Sequence, residues 1–416
     1  MSKQNTPPTY YALDLVTPER PALTGTHTYD AVVVGAGYAG ISAATTFAES
    51  GMSVVVLEKD YVAAGASGRN GGILLLSEGT HLGDADESAI VDESLGAAAA
   101  EFVTFIEDNG IDADLRRGSI RLAITKRQAA QLAQSAAAGS AEARAGRTYL
   151  DRDALTEHLQ SDRYVAGLLE RDNINLNPHK LLEGLAAHAE RLGVVIAEQS
   201  TVTGVRTSRG AVTVSTGGGE VHAERLVVAT GTGTGQVVPR IRDLLFTGYS
   251  QIAVTEPIPQ DTLDAVLPSW YSTSEIATFS RYFRRLPDNR LLFGISTLFD
   301  TIAGPGMATQ IRAELRDTFP SLGDAPFQSA WEGAIASTVE ETPLLERIAP
   351  SAVVTSSNGV LASWNAGRIA AVATAPEYAA YDLLRGNRHT TWPPLHLPDR
   401  VVRTGARGYF KIKDRL

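Results

Sequence analysis

Three glycines and one acid set the first chemical expectation. Gly35, Gly37 and Gly40 form a G-x-G-x-x-G directly after the apolar run Ala31 to Val34, and Glu58 ends a second run, Ser53 to Leu57, eighteen residues past Gly40. In such a unit the first glycine makes a tight turn, the second lets backbone approach a pyrophosphate, and the third lets helix and strand pack closely. A helix predicted over Tyr38 to Glu49, with Ala39 in its first turn, presents unpaired N–H groups to that negative charge. The Glu58 carboxylate suits a ribose diol and repels a 2′-phosphate, which disfavours a cofactor of the NADP type.

NAD and FAD both use this unit, so other segments decide between them. After the second strand comes AAGASGRNGG, residues 63–72, without the periodicity of helix or strand. Its Ser67, Gly68, Arg69, Asn70 and Gly71 offer backbone donors and polar side chains to a large planar ring and its phosphates. An NAD domain normally continues instead with a third strand. Farther on, a buried strand over Leu226 to Ala229 runs into Thr230 and Gly231, so backbone again approaches something at a strand end. No second G-x-G-x-x-G occurs there, and the chain contains no cysteine, which excludes a dithiol reductase. FAD on one dinucleotide domain, assembled from separated parts of the chain, is the expectation.

Composition narrows the rest. The 416 residues carry a formal charge of −10 and no long basic block, so nucleic acid is not an expected partner. Lysine occurs six times and nowhere between residues 181 and 410, so a cation required there must be arginine or protonated histidine. Without cysteine there is no thiolate nucleophile, and no thioether to a flavin, so non-covalent FAD is expected. No two of the eight histidines have H-x-x-x-H spacing, and no metal site is expected. The first residues lack the apolar stretch of a signal peptide, and no run approaches the roughly 18 apolar residues of a membrane span, so a cytoplasmic location without a membrane span is expected.

GAGYAG, VVVLEKD, GASGRNGG and VVATGTG together resemble the D-amino acid oxidase/glycine oxidase (DAO) superfamily, in particular its γ-glutamylputrescine oxidase-like branch. INLNPHKLLEGLAAHAERLGV at 174–194, YFRRLPDNRLLFG at 282–294, WEGAIASTVEETPLL at 331–345 and the tail ARGYFKIKDRL extend the resemblance over roughly residues 9–416. It implies an α/β fold: a Rossmann-type FAD-binding domain interleaved with an α+β substrate domain containing a mixed or antiparallel sheet. Residues 1–90, 171–240 and 341–390 are expected to bind FAD, 91–170 and 241–340 to bind substrate, and 391–416 to form a tail. It also implies oxidation of a C–N bond of a small-molecule amine or amino acid by hydride transfer to flavin N5, giving an imine that water hydrolyses. Oxygen or another acceptor then reoxidises the flavin. In some relatives a lysine assists that last step, so the lysine-free stretch implies slow use of oxygen.

One segment departs from the family. Where the branch carries a Gly-rich flavin loop, this chain has SWNAGRI, residues 363–369, expected as a loop between a strand at Val360 to Ala362 and a helix at Ile369 to Leu384. Asn365, Ala366 and Gly367 of that loop, with Lys59 and Val202, complete the expected cofactor set. The departure keeps open a second reading, an FAD-binding electron-transfer or non-oxidase protein that has lost amine oxidation. For the substrate, aromatic walls suit an amine. Trp331, Trp364 and Tyr282 are the candidates, with Trp270 behind them. Arg69, Arg281 and Arg284 are candidates for a substrate carboxylate, and Glu340 or Glu341 for a remote amine.

Overall fold

Successive residues of a strand point to opposite faces, so an unbroken apolar run must be covered on both. This is the case for β1 (Gly25–Val34): Ala31 and Val33 pack into one core and Val32 and Val34 into another on the opposite side. The computed structural model describes residues 9–13, 15–76, 98–138, 144–208, 210–297, 305–375, 389–392 and 401–406. From β1 the chain passes through helix α1 (Tyr38–Glu49) to β2 (Val54–Leu57), which pairs parallel with β1.

Among the described residues the first sheet has eight strands. Its parallel centre runs from Ala352–Ser356 through Gly219–Val228, β1 and β2 to Val195–Ala197. Leu344–Ala349 adds an antiparallel edge, and Val202–Ser208 with Ala211–Thr216 forms an antiparallel flap leading into Gly219–Val228. Helices α1, Pro178–Arg191 and Val360–Ala373 cover one face. The Pro178–Arg191 helix begins as expected: Pro178 fills its first turn, and the Asn177 side chain accepts from the His179 and Lys180 amides at 3.1 Å.

Among the described residues the second sheet has nine strands, antiparallel except where Ser272–Glu275 meets Arg116–Ala123. Phe246–Thr255 sits between Phe327–Ser337 and Leu291–Ser296, and Arg281–Arg285 follows Leu291–Ser296. Ala166–Asn175 pairs with the short strand Ile73–Leu74 that follows the 63–72 loop. A core of Phe283, Phe293, Leu263, Ile311 and Leu315 lies on one side of this sheet, with helices Gln260–Val266 and Pro305–Thr318. Among the described residues no helix is long and apolar enough to cross a membrane.

The expected α/β fold with a mixed second sheet is present, with one correction. Val360 to Ala362 is not a strand and SWNAGRI is not a loop: both belong to the helix Val360–Ala373. The strand is Ala352–Ser356, and the turn after it is Ser357 to Gly359, where Gly359 has a φ of +94°. Alanines at 362, 366, 370 and 371 favour helix at every turn, and this outweighs the short apolar run that reads as a strand. The remainder of the expected helix to Leu384, and residues 393–400 and 407–416 of the expected tail, lie outside the described residues.

Candidate functional site

A cavity of about 540 Å³ lies between the carboxyl ends of the first sheet's strands and the face of the second sheet. At its first-sheet end the chain makes the turn set by the glycines. Gly35 has a φ of +102°, and a Cβ there would stand 2.5 Å from the Ala229 carbonyl oxygen. At Gly40 a Cβ would fall 1.8 Å from the Gly35 carbonyl oxygen, so α1 can start against β1 only because both positions are bare. Gly37 faces the Ser67 hydroxyl, which accepts from the Tyr38 amide at 3.2 Å. Gly37 has no side chain to cap α1, so beyond the Tyr38 amide held by Ser67 the next amides of the first turn, those of Ala39 and Gly40, are left for a ligand at the cavity wall formed by Gly35, Gly37, Tyr38 and Ala39.

Glu58 ends β2 at the same cavity. Its carboxylate accepts from the Ala36 amide at 2.8 Å and the Asp60 amide at 3.0 Å. Burial pushes this carboxyl above its usual range, and the two amides oppose that shift. Lys59 lines the cavity beside it but is exposed and pairs with Asp60 at 3.5 Å. Val202, Ala229, Thr230 and Gly231 line the same end. These features fit a pyrophosphate-linked dinucleotide: bare glycine at the closest approach, free amides at a helix start, and a carboxylate acceptor at the end of the second strand.

The 63–72 loop forms the middle of the wall. Asn70 spends its side chain on the loop itself, donating to the Ser67 carbonyl at 2.9 Å and accepting from the Gly72 amide at 2.9 Å. Ser67, Arg69, Asn70 and Gly71 line the cavity; Gly68 instead packs on Ala63, whose carbonyl oxygen would be 2.2 Å from a Cβ at 68. Arg69 is buried and donates from Nε to the Glu332 carbonyl at 3.1 Å. Burial lowers its guanidinium below the ordinary arginine value, against the opposing influence of Tyr61 and Glu332.

The second sheet supplies the far wall through Ser250, Ser274, Tyr282 and Gly333 to Ala336. Tyr282 lies across Gly294, its register partner, and its hydroxyl is 2.6 Å from the Ser250 Oγ. Ser250 is 3.2 Å from the Ile295 carbonyl. If its single proton goes there, Tyr282 donates to Ser250 and keeps lone pairs for a ligand N–H. Burial raises the Tyr282 phenol, which holds it neutral.

Several expected residues are elsewhere. Trp331 is fully buried and does not line the cavity; its indole N–H supports the Arg69 carbonyl at 2.9 Å. Trp364 packs among the helices, 4.8 Å from the Phe102 ring centroid, with the Arg368 guanidinium over its ring. Asn365, Ala366 and Gly367 sit inside the Val360–Ala373 helix, off the cavity; a Cβ at Gly367 would come 2.1 Å from the Ala39 carbonyl oxygen, so its bareness serves helix contact. Arg281 is engaged by Glu314 and Thr318, and Arg284 by the Gly71 and Leu176 carbonyls. The guanidinium groups of Arg116 and Arg285 both lie over the Trp270 ring. Glu340 accepts from the Thr390 amide at 2.8 Å, and Glu341 occupies a turn with φ +60°.

Sequence reasoning missed the turn Ser356 to Gly359, which lines the cavity with Thr355, Val360 and Ser363. The signal was present: VVTSSNG repeats the pattern of VVATGTG, an apolar strand running into small polar residues and glycine. Ser250 gave no comparable signal, because its role comes from strand pairing distant in sequence. No described histidine lines the cavity, and no described group of His, Asp and Glu has the arrangement of a metal site.

Known proteins match this architecture along most of its length. The chain is 29% identical over 402 residues to gamma-glutamylputrescine oxidoreductase of Escherichia coli (strain K12), covering 94% of this chain and 93% of that protein. It is 29% identical to the probable oxidoreductase OrdL of Haemophilus influenzae, covering 95% and 94%. The structure of glycine oxidase from Geobacillus kaustophilus superposes with a TM-score of 0.73 at 20% identity, covering 86% of this chain and 98% of that one, which is a likeness of fold. Residues 30–373 match the family described as DAO, FAD dependent oxidoreductase, and the chain belongs to that family.

Proposed function

We propose that the protein binds FAD non-covalently in this cavity and oxidises a C–N bond of an amine or amino acid. The observation that carries the reading is the continuity of one cavity from the glycine turn and Glu58 to the Ser250–Tyr282 wall. The names of the relatives, which specify a γ-glutamylated amine in one case and glycine in another, support the substrate class. On this reading the first sheet and its helices hold the cofactor and the second sheet holds the substrate.

Gly35, Gly37, Tyr38 and Ala39 would hold the pyrophosphate, Glu58 a ribose, and Val202 with Ala229 to Gly231 the same nucleotide. Ser67, Arg69, Asn70, Gly71 and the 356–359 turn would border the ring. Bound FAD would supply the electron-accepting ring for removal of a hydride from the substrate. The protein's own part is placement and exclusion of water. Ile73, Leu75 and Ile335 present apolar walls around the substrate space, which disfavours a charged ammonium and favours the neutral amine. The neutral Tyr282 phenol offers lone pairs to an amine N–H. Arg69 is the guanidinium at this wall among the described residues, and its backbone is fixed from behind by Trp331.

The electron-transfer reading rested on the divergent segment being a flavin loop; that segment is helical and meets the cavity through Ser363, with Asn365, Ala366 and Gly367 off it. Anaerobic mixing of the FAD-loaded protein with a panel of amines and amino acids tests the proposal. Bleaching of the flavin absorbance by a member of the panel is expected, with the corresponding carbonyl product after hydrolysis. A flavin band unchanged by every amine, but bleached by a chemical reductant, would overturn it.

A further inference from the structure

Between Arg69 and Gly72 the chain has not yet joined a strand, and its carbonyl groups need partners from elsewhere. They come from the second sheet. Trp331 donates from Nε1 to the Arg69 carbonyl at 2.9 Å, and Arg284 donates from Nε to the Gly71 carbonyl at 3.0 Å. The loop is pressed onto its neighbours at the same place. A Cβ at Gly71 would meet Tyr282 Cε2 at 2.7 Å, and one at Gly72, whose φ is +67°, would meet Arg284 Nη2 at 2.7 Å. Arg69, Gly71 and Tyr282 face the cavity, whereas Trp331 and Arg284 stand behind them.

What holds Trp331 and Arg284 is a residue from the far end of the sequence. A single 3-10 turn, Tyr10–Ala12, brings Tyr11 into the second sheet, where it is 3% exposed among Ile252, Val254, Leu286, Leu292 and Trp331. Its ring meets the Trp331 indole edge-on, with centroids 5.7 Å apart. Its hydroxyl accepts from Arg284 Nη2 at 3.2 Å. One side chain therefore touches both groups that fix the 69–71 backbone, and neither contact is with the cavity. Farther along the same leader, Arg20 is anchored on the first-sheet side by Glu183, Glu190 and Glu198.

We infer that Tyr11 is a positioning residue: through Trp331 and Arg284 the leader sets the place of the Arg69–Gly71 wall against Tyr282, and so the shape of the space beside the flavin ring. The inference rests on the cofactor reading above only for what lies against that wall. Misplacement of a site wall by about 1 Å from a distance is enough to cost on the order of a hundredfold in rate. A residue that merely filled core would instead lower stability and leave the wall in place.

Two variants separate these roles. Tyr11→Phe keeps the ring on Trp331 and removes the acceptor for Arg284; Tyr11→Ala removes both contacts. Hydrogen exchange of the apoprotein reads the wall directly, and flavin absorbance and FAD titration read it with cofactor present. Expected are several-fold faster exchange in peptides covering residues 63–76 in both variants, altered flavin absorbance, and FAD dissociation constants raised about threefold in Tyr11→Phe and at least tenfold in Tyr11→Ala. Trp331→Phe, which removes the N–H donor to Arg69 together with part of the indole ring, is expected to reproduce the exchange and absorbance changes. Should Tyr11→Ala not fold, Tyr11→Phe and Trp331→Phe decide the matter. Parental exchange at 63–76 in Tyr11→Phe and Trp331→Phe, with only the melting temperature lowered, overturns the inference. If the parent itself binds no FAD, the cofactor reading fails, while the exchange comparison still decides whether Tyr11 sets the wall.

Discussion

Glu58 shows how one side chain serves a turn and a cavity wall together. Its oxygens hold the Ala36 and Asp60 amides, and the same carboxylate borders the cavity. Glu58→Ala is expected to weaken FAD binding by about 1–3 kcal/mol, the scale of a lost charge-assisted hydrogen bond. Equal dissociation constants for variant and parent by fluorescence titration would remove Glu58 from the site. The glycines and Glu58 were legible because each is dictated by local backbone geometry within one strand–turn–helix–strand unit. The aromatics were not. Indole and phenol suit a wall or a core equally, and only the pairing of Phe327–Ser337 with Phe246–Thr255 turns Trp331 beneath Arg69. Tyr282 reaches the cavity because its partner across the strand is Gly294, a relation between residues that no spacing rule reports.

Among the elements, the contact between α1 and the Val360–Ala373 helix links the glycine turn to the carboxyl end of the fold. Gly367 permits that contact at the Ala39 carbonyl. Gly367→Ala is expected to cost about 1–3 kcal/mol of stability by overpacking and to weaken FAD binding as well, since Ala39 belongs to the first turn of α1. Asn365→Ala, two positions away and off the cavity, is expected to leave the dissociation constant unchanged. Thermal melts with and without FAD check both; a weaker FAD complex in Asn365→Ala would return that residue to the site. The helix Pro178–Arg191 was legible from its cap and its proline, and β1 and β2 from their apolar runs. The Val360–Ala373 helix was misread at its start because three apolar or small residues after a glycine suit a strand as well as a helix. Its length, which settles the matter, depends on the alanines that follow.

At the scale of the whole molecule, acid should loosen the fold through His179. This side chain is 3% exposed at the start of its helix, and burial lowers its pKa from 6.5 to about 4. Between those values the unfolded chain binds a proton that the folded chain does not, so stability is whole above pH 6.5 and falls as pH drops toward 4. The group accounts for on the order of 3 kcal/mol across that window. His179→Gln is expected to flatten the dependence of urea-unfolding free energy on pH over the same range; an unchanged slope would assign the acid sensitivity to other groups. The two sheets raise a separate matter, because the chain crosses between them repeatedly. A cut at the exposed turn 217–218 leaves a first fragment holding β1, β2 and Arg116–Ala123, and a second holding Gly219–Val228 and Ser272–Glu275. Each fragment then owns strands of both sheets and is paired in both to the other. Protease nicking there should give two bands on a denaturing gel and a single peak on gel filtration. Neither sheet can be exchanged with a relative's by a single crossover at that turn in the gene, because both draw strands from either side of it.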